Sequence, residues 1–568
     1  MKKWLKYLSL GILSTILTAR PGLGAERISF FYPPFGEFSL SAESLEKYAK
    51  EGKINSELAF YAKRATPEQL AQLRQILQQK FDITPVLVSQ FTYSPLGEAV
   101  LRRLGELLLT DSRQNGFYAI RAALILSAAD PEGLTVVNLL RKYPSDSLRL
   151  NFSEGLQIVN SLLELGRAKD QIVAFIKQQT IAQTNNATVD FAQQPDLRSP
   201  GNYRWQIASF KLNDSSRNRS LPVDVYVPQT SSSTTGNDPK PPFPLVVISH
   251  GVASDRYAFI YLAEHLASHG FAVAVLEHPG SNAERFQLYF SGLAGPPEAQ
   301  EFINRPLDVK FVLDQLQQLN QTDPNLRGKL NFQQVGAIGH SFGGYTVLAL
   351  AGAKINFDKL RRDCNPNRTL NLSVFLQCRA YELPIANYAL QDSRIKAVMA
   401  INPIDSSVLG ESGINQVQLP TMLVAGSEDI FAPPIAEQIY PFTWLPNPNK
   451  YLVLIENGTH FTAISETTAD NNVLPVPEAL LGPNRAPAYS YIKALSLAFL
   501  DTHLLNRSEY RSYLQPAYAQ YISQAPLNLN ILQSLTTEQL KQALNGLDPQ
   551  PTVPPPKPQP QPTPTPSP

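Results

Sequence analysis

A serine, a carboxylate and a histidine, the side chains that cooperate in acyl transfer, occur in this chain in an order that chemistry can use. The serine is Ser341, within Val335-Gly-Ala-Ile-Gly-His-Ser-Phe-Gly-Gly-Tyr345. That run predicts a buried strand driven through a glycine-flanked serine into a helix. In Gly339-His340-Ser341-Phe342-Gly343, the elbow glycines Gly339 and Gly343 permit a turn too sharp for side chains two residues either way. The hydroxyl is thereby pushed out at the carboxyl end of a sheet, where a base can reach it. G-x-S-x-G alone occurs often by chance. The strand before it and the helix after it give it meaning here.

Attack by a serine needs a base for its proton, a carboxylate to orient that base, and donors for the oxyanion. The chain has seven histidines, so the base can be sought by elimination. His265 and His269 lie on a helix ending at Gly270, His340 is inside the elbow and directed away from the serine, and His503 is in the last helix. His460, in Glu456-Asn-Gly-Thr-His-Phe461, follows the last apolar strand and is the expected base. The chain order Ser, Asp or Glu, His then calls for a carboxylate between the two. Met422-Leu-Val-Ala-Gly-Ser-Glu-Asp-Ile-Phe-Ala-Pro433 is a strand with a polar turn at its end, and Asp429 is favoured. Glu428 should face the other way as a surface charge, and Asp405, after the preceding strand, is the rival. For the oxyanion, Gly251 in Ser249-His-Gly-Val252 allows close backbone approach, so the amides of Val252 and Phe342 can converge on one oxygen. His250 is expected to brace that loop rather than to do chemistry.

Elements able to position these residues follow from the grammar of the chain. From Leu245 onward short apolar strands alternate with helices: Leu245–Ser249, Phe271–Leu276, Val335–Ile338, Ala397–Ile401, Met422–Ala425 and Tyr451–Ile455. This predicts a mostly parallel, doubly wound α/β sheet covered on both faces. Trp205–Leu212 and Leu221–Val227 read as a hairpin at its edge, Arg305-Pro306 as the opening of a helix running to about Leu319, and Tyr489–Leu505 as a closing helix. Residues 26–180 read as an all-helical module. Thr66-Pro67-Glu68-Gln69 is a capping box with proline at the first helical position, Ser94-Pro95 opens a second helix, Asp130-Pro131 a third, and Leu156–Ile176 supplies another. A polar linker spans 181–203, the catalytic domain 204–508, a helical extension 509–548, and a proline-rich, extended and disordered tail 549–568. Lys354–Arg394 is an insertion that would sit over the mouth of the site as a lid, or else is a plain surface hairpin.

At 568 residues the chain is too long for one core, and 49 basic against 48 acidic residues leave no basic stripe for nucleic acid. Residues 1–24 resemble a secretory leader: Lys2, Lys3 and Lys6, then an apolar Leu8–Ala19, then Gly22 and Gly24 near a cleavage point. An uncleaved anchor is the alternative. The expected location is periplasmic or secreted. The two cysteines, Cys364 and Cys378, have no metal-ligand spacing. In an oxidising compartment they could form a disulfide, or they stay two buried thiols.

Taken together, Ser249-His-Gly251, Glu277-His-Pro-Gly-Ser281, Arg305-Pro-Leu-Asp308 and Gly339-His-Ser-Phe-Gly-Gly344 resemble the α/β-hydrolase superfamily. Within it, the resemblance is to platelet-activating-factor acetylhydrolase and dienelactone-hydrolase-like serine esterases, over roughly Tyr203 to Leu505. One departure matters: Asn402 stands where that acetylhydrolase group has its acid, and Leu419–Pro433 instead resembles the cutinase and polyester-hydrolase pattern, whose acid falls on Asp429. Glu26-Arg-Ile-Ser-Phe-Phe-Tyr-Pro-Pro-Phe-Gly-Glu37 resembles part of a module found ahead of such hydrolases in cyanobacteria. The resemblance implies an α/β-hydrolase fold and an ester hydrolase of lipid degradation acting on lipid or short- to medium-chain acyl esters, and the leader-like N-terminus adds the expectation that it is exported. No metal or cofactor is called for. Peripheral contact with a membrane or the cell envelope is a further expectation. The alternatives are a dienelactone or polyester hydrolase, and a non-catalytic envelope protein on a hydrolase scaffold.

Overall fold

The computed structural model describes residues 24–32, 35–81, 83–184, 189–229, 240–364, 369–465 and 478–549. Residues 1–23 of the leader, most of the proline-rich tail and most of the Thr-Ser-rich loop before Pro244 lie outside them. The described residues fall in two compact units, 24–161 with 289–294, and 162–288 with 295–549.

The larger unit is built on a nine-stranded sheet. Its strands are β5 (Arg204–Asp214), β6 (Arg219–Gln229), β7 (Phe243–Ser249), β8 (Ala272–Leu276), β9 (Leu330–His340), β10 (Ile395–Ile401), β11 (Thr421–Gly426), β12 (Lys450–Ile455) and β13 (Leu529–Leu532). They lie in the order β13-β12-β11-β10-β9-β7-β8-β6-β5. The six strands from β12 to β8 are mutually parallel, whereas β13, β6 and β5 pair antiparallel. Every residue of β7, β8 and β11 is buried, which is why these strands read as continuous apolar runs rather than alternating ones. Helices including Ile260–Ser268 and Ala486–His503 pack against one core cluster, and Phe342–Leu350 and Glu301–Thr322 against another. Strand order reverses between β9 and β7, so their carboxyl ends frame the crevice where sites form in such sheets.

Two expectations need correction in this unit. The 509–548 segment is not only helical, because β13 extends the sheet by pairing with β12, Leu452 opposite Leu532. The helix expected to open at Arg305 starts at Glu301, and Pro306 lies inside it. Proline removes one backbone donor. The hydroxyl of Tyr345 donates to the carbonyl of Phe302 at 2.8 Å, so that acceptor is satisfied and the helix runs on.

The smaller unit is mostly helical but not all-helical. Strands β1 (Arg27–Tyr32), β2 (Gly36–Ser41), β3 (Leu108–Leu109) and β4 (Ser147–Leu150) form a four-stranded sheet in the order β2-β1-β4-β3. The Thr66 capping box forms as expected, heading helix Pro67–Gln78. No helix begins at Asp130-Pro131. Gly133 has φ 76°, and the chain enters its next helix only at Val136, capped by Thr135. Helix Phe152–Thr184 runs past the boundary expected at residue 180. Among the described residues no helix is long and apolar enough to cross a membrane.

Candidate active site

β9 delivers Ser341 to the head of helix Phe342–Leu350 with φ 54° and ψ −117°. A non-glycine residue in such a conformation stores about 1–3 kcal/mol, which the surroundings must hold in place. The flanking glycines are required by space. A Cβ on Gly339 would stand 2.0 Å from the Gly343 carbonyl oxygen, and one on Gly343 would stand 2.0 Å from that of Ser249. The amide of Ser341 donates to Ile401 O at 2.9 Å, tying the turn to the end of β10.

Asp429 lies three residues beyond β11. Its Oδ1 accepts the amides of Phe431 and Ala432 at 2.9 and 2.7 Å, which closes the turn. Its Oδ2 is 2.7 Å from Nδ1 of His460. One carboxylate oxygen therefore shapes the loop and the other holds the imidazole. Both residues are buried. Glu428 faces elsewhere and binds Lys169 Nζ at 2.6 and 2.7 Å. The rival Asp405 is fully buried, and neither of its carboxylate oxygens has a hydrogen-bond partner among the described residues. Burial, reinforced by the neighbouring Glu437, pushes its carboxyl well above the usual range.

His340, set aside as a base, supports the histidine loop. Its Nε2 donates to the backbone oxygen of His460 at 2.9 Å, and the two rings lie 4.8 Å apart. Burial, then the neighbouring His460, holds His340 well below the usual imidazole range, so it stays neutral.

Opposite the histidine, the loop after β7 comes against the elbow. A Cβ built on Gly251 would stand 3.3 Å from Cβ of Ser341 and 3.0 Å from Nδ1 of His340, so glycine permits the approach. Phe342 opens its helix, where the first amides have no intrahelical acceptor. Val252 follows Gly251 on the facing loop. His250 is buried, its Nε2 accepting the amide of His278 at 3.0 Å and its Nδ1 lying 2.6 Å from Gly251 O. The residues behind this loop, His278, Arg305 and Asp308, were quoted in the sequence only for their resemblance. The i, i+3 spacing of Arg305 and Asp308 on one helix was the signal that both face inward.

A cavity of about 380 Å³ lies beside His460, lined by Ile430, Phe431, Thr459, Leu480 and Gly482, with Glu428 and Asn457 at its polar side. The 354–394 insertion carries a Cys364–Cys378 disulfide, with Cα atoms 5.6 Å apart, in place of two thiols. Asn371, Ser373 and Gln377 of the insertion all bond the carboxylate of Glu437. Among the described residues no group of three or more His, Cys, Asp or Glu side chains is placed to hold a metal ion.

The chain matches two family models. One, an alpha/beta hydrolase of unknown function, covers residues 24–151, and the other, the alpha/beta hydrolase fold, covers residues 244–361. Platelet-activating factor acetylhydrolase of Cavia porcellus is 22% identical over 330 residues, covering 52% of this chain and 66% of that protein. Chlorophyllase-1, chloroplastic, of Citrus sinensis is 29% identical over 147 residues, 23% of this chain and 40% of that protein. Platelet-activating factor acetylhydrolase of Canis lupus familiaris is 28% identical over 143 residues, 19% of this chain and 31% of its own length. The chain thus spans no more than 66% of any of these three relatives. Its parallel sheet, its serine elbow at the end of β9 and its matched segment over residues 244–361 give the chain the α/β-hydrolase fold.

Proposed function

We propose that the protein is an exported serine hydrolase of carboxylic esters, acting on lipid or short- to medium-chain acyl esters. The observation that carries this reading is the 2.7 Å contact between Asp429 and His460, together with the strained Ser341 elbow at the carboxyl end of β9 in the same sheet. In this mechanism the Ser341 hydroxyl attacks the ester carbonyl as His460 takes its proton. The amides of Val252 and Phe342 receive the oxyanion, and His460 returns the proton to the departing alcohol. Asp429 keeps the imidazole in the tautomer that presents Nε2 to the serine. Water then cleaves the acyl-enzyme by the same route. Similarity to platelet-activating factor acetylhydrolase and to chlorophyllase-1 supports an ester substrate. The apolar residues Ile430, Phe431 and Leu480 beside His460 suit a hydrocarbon portion of it. Export is supported by the leader-like residues 1–24 and by the disulfide, a bond that persists in oxidising compartments.

A second reading, a polyester or cutinase-like hydrolase, is favoured by one observation. The carboxylate that meets His460 follows β11, while Asn402 follows β10.

The test is a fluorophosphonate probe with p-nitrophenyl acetate, butyrate and palmitate, applied to the protein and to Ser341→Ala. Labelling and turnover lost only in the variant are expected, and the chain-length profile, set beside activity on a polyester film, separates the two readings. A folded wild type that neither labels nor turns over would leave the non-catalytic scaffold.

A further inference from the structure

Behind Gly251 and Phe342 lies Arg305, a guanidinium with no exposed surface. Its Nη2 donates to the carbonyl oxygen of His250 and, at 3.4 Å, to Ser249 Oγ. Nη1 donates to Ser281 Oγ at 2.8 Å, and Nε to Thr346 Oγ1 at 3.3 Å. Its Cζ stands 4.8 Å from the centre of the Phe342 ring, and Thr346 Oγ1 donates to the Phe342 carbonyl at 2.8 Å. One cation thus grips both the strand end that leads to Val252 and the residue whose amide follows Ser341.

A buried guanidinium ordinarily meets a carboxylate, because an unmet charge in a low dielectric is costly. Among the described residues, every hydrogen bond of Arg305 ends on a hydroxyl or a carbonyl oxygen. The carboxylates stand one layer out. Glu301 accepts Ser281 Oγ at 2.9 Å and Arg219 Nη1 at 2.7 Å. Asp308 accepts Arg217 at 2.8 Å, Arg219 at 2.7 and 2.8 Å, and Nδ1 of His278 at 2.9 Å. With its Nδ1 proton on Asp308, His278 offers Nε2 to the hydroxyl of Ser249 at 3.0 Å, which leaves an oxygen lone pair of Ser249 for Arg305. Burial first, then the charge of Arg305, holds His278 neutral.

The same layer orients the peptide that matters. Since Nε2 of His250 accepts the amide of His278, its Nδ1 carries the proton and donates to Gly251 O at 2.6 Å. In a trans peptide the N–H points opposite to the C=O. Pinning the Gly251 carbonyl to the imidazole therefore turns the Val252 amide away from His250.

We infer that Arg305 is a positioning residue for ester hydrolysis, holding the Val252 and Phe342 amides in register and placing a buried positive charge behind the developing oxyanion. The inference rests on the serine-esterase reading of Ser341. It assigns Arg305 no contact with the substrate.

Arg305→Met, Arg305→Lys and Ser281→Ala test it, through steady-state hydrolysis of p-nitrophenyl butyrate and the affinity of an alkylboronic acid. The boronate forms a tetrahedral anion on an active serine and so resembles the transition state. Arg305→Met should lower kcat about 100-fold, the scale for losing an oxyanion donor, with KM within about 3-fold. Boronate affinity should fall in proportion, because an interaction made only with the tetrahedral state is the one lost. Arg305→Lys should recover part of both, and Ser281→Ala, which frees one end of the guanidinium, should lose about 5-fold in both. Melting curves accompany each variant, and if Arg305→Met does not fold the other two decide. Unchanged kcat, or lowered kcat with unchanged boronate affinity, overturns the inference. A wild type that neither hydrolyses the ester nor binds boronate refutes the esterase reading instead.

Discussion

Oδ2 of Asp429 lies 2.7 Å from Nδ1 of His460, while Asp405, at the end of the adjacent strand, touches no polar partner with either oxygen among the described residues. Two carboxylates that were rivals by chain order are thus separated by geometry. Asp429→Asn leaves the turn intact but offers His460 the wrong hydrogen-bond partner, so kcat should fall by about 10⁴. Asp405→Asn should leave kcat within about 3-fold, since it makes no contact that orients the base. Ester hydrolysis by the two folded variants checks this, and the reverse ranking would move the acid to Asp405.

Asp405 instead marks the stability of the fold. Its folded-state pKa is raised above the ordinary 3.8, by burial and then by Glu437. Over the range above 3.8 the folded protein therefore keeps a proton that the unfolded chain has released. Stability changes with pH as the protons bound unfolded minus those bound folded, and that difference is negative here. The contribution of Asp405 is therefore full below about pH 4 and is lost as pH rises toward the folded pKa. Asp405→Asn removes this slope. The drop in melting temperature between pH 5 and pH 8 should be smaller in the variant than in the wild type, and an identical drop would show that Asp405 does not titrate differently on folding.

What was legible in the sequence was local. Ser341, His460 and Asp429 each follow a run of apolar residues that can only be a covered strand, so their place at the sheet's carboxyl end follows from the residues on either side. What was not legible depended on distant pairing. Leu529–Leu532 is four residues long and becomes a strand only because β12, more than seventy positions earlier, offers an edge. In the smaller unit β1 finds its parallel partner in β4, over a hundred residues later, and helical spacing around them hid the sheet. Arg305, Asp308 and Glu301 carry charges that ordinarily mean a solvated face, and only distant partners put them inside: Arg217 and Arg219 meet the two carboxylates, and hydroxyl and carbonyl oxygens meet Arg305. Pro306 read as a helix start because nothing nearby announces that Tyr345 will satisfy the carbonyl it frees.

Gly343 is fixed by its surroundings rather than by its own backbone angles. Its missing Cβ makes room for the Ser249 carbonyl, which a methyl group would meet at 2.0 Å. Backbone cannot step aside as a side chain can. Gly343→Ala should therefore destabilise the larger unit by about 1–3 kcal/mol and displace Ser341, abolishing turnover even where the protein still folds. Urea denaturation and active-site titration on the same sample check both halves. A stable, fully active Gly343→Ala protein would show that the elbow can open without consequence.

The insertion is held twice, and the two anchors should differ in weight. The disulfide spans fourteen positions, and closing a loop of that size is worth about 3 kcal/mol through the unfolded chain. Glu437 works in the folded state. It accepts Asn371, Ser373 and Gln377 of the insertion together with the amides of Asp405 and Ser406 at 2.7 and 3.0 Å, so its charge is met by donors alone. Glu437→Gln would place an NH₂ group where those donors converge and leave several of them without an acceptor, at about 1–3 kcal/mol for each buried group left unpaired. Replacing both cysteines with serine should therefore lower the melting temperature yet keep kcat within about 3-fold, because the carboxylate still fixes the insertion against the loop after β10. Glu437→Gln should lose more stability than the cysteine pair and should alter KM as that loop shifts. If the serine variant instead loses activity while Glu437→Gln keeps it, the covalent bond is what holds the insertion in place.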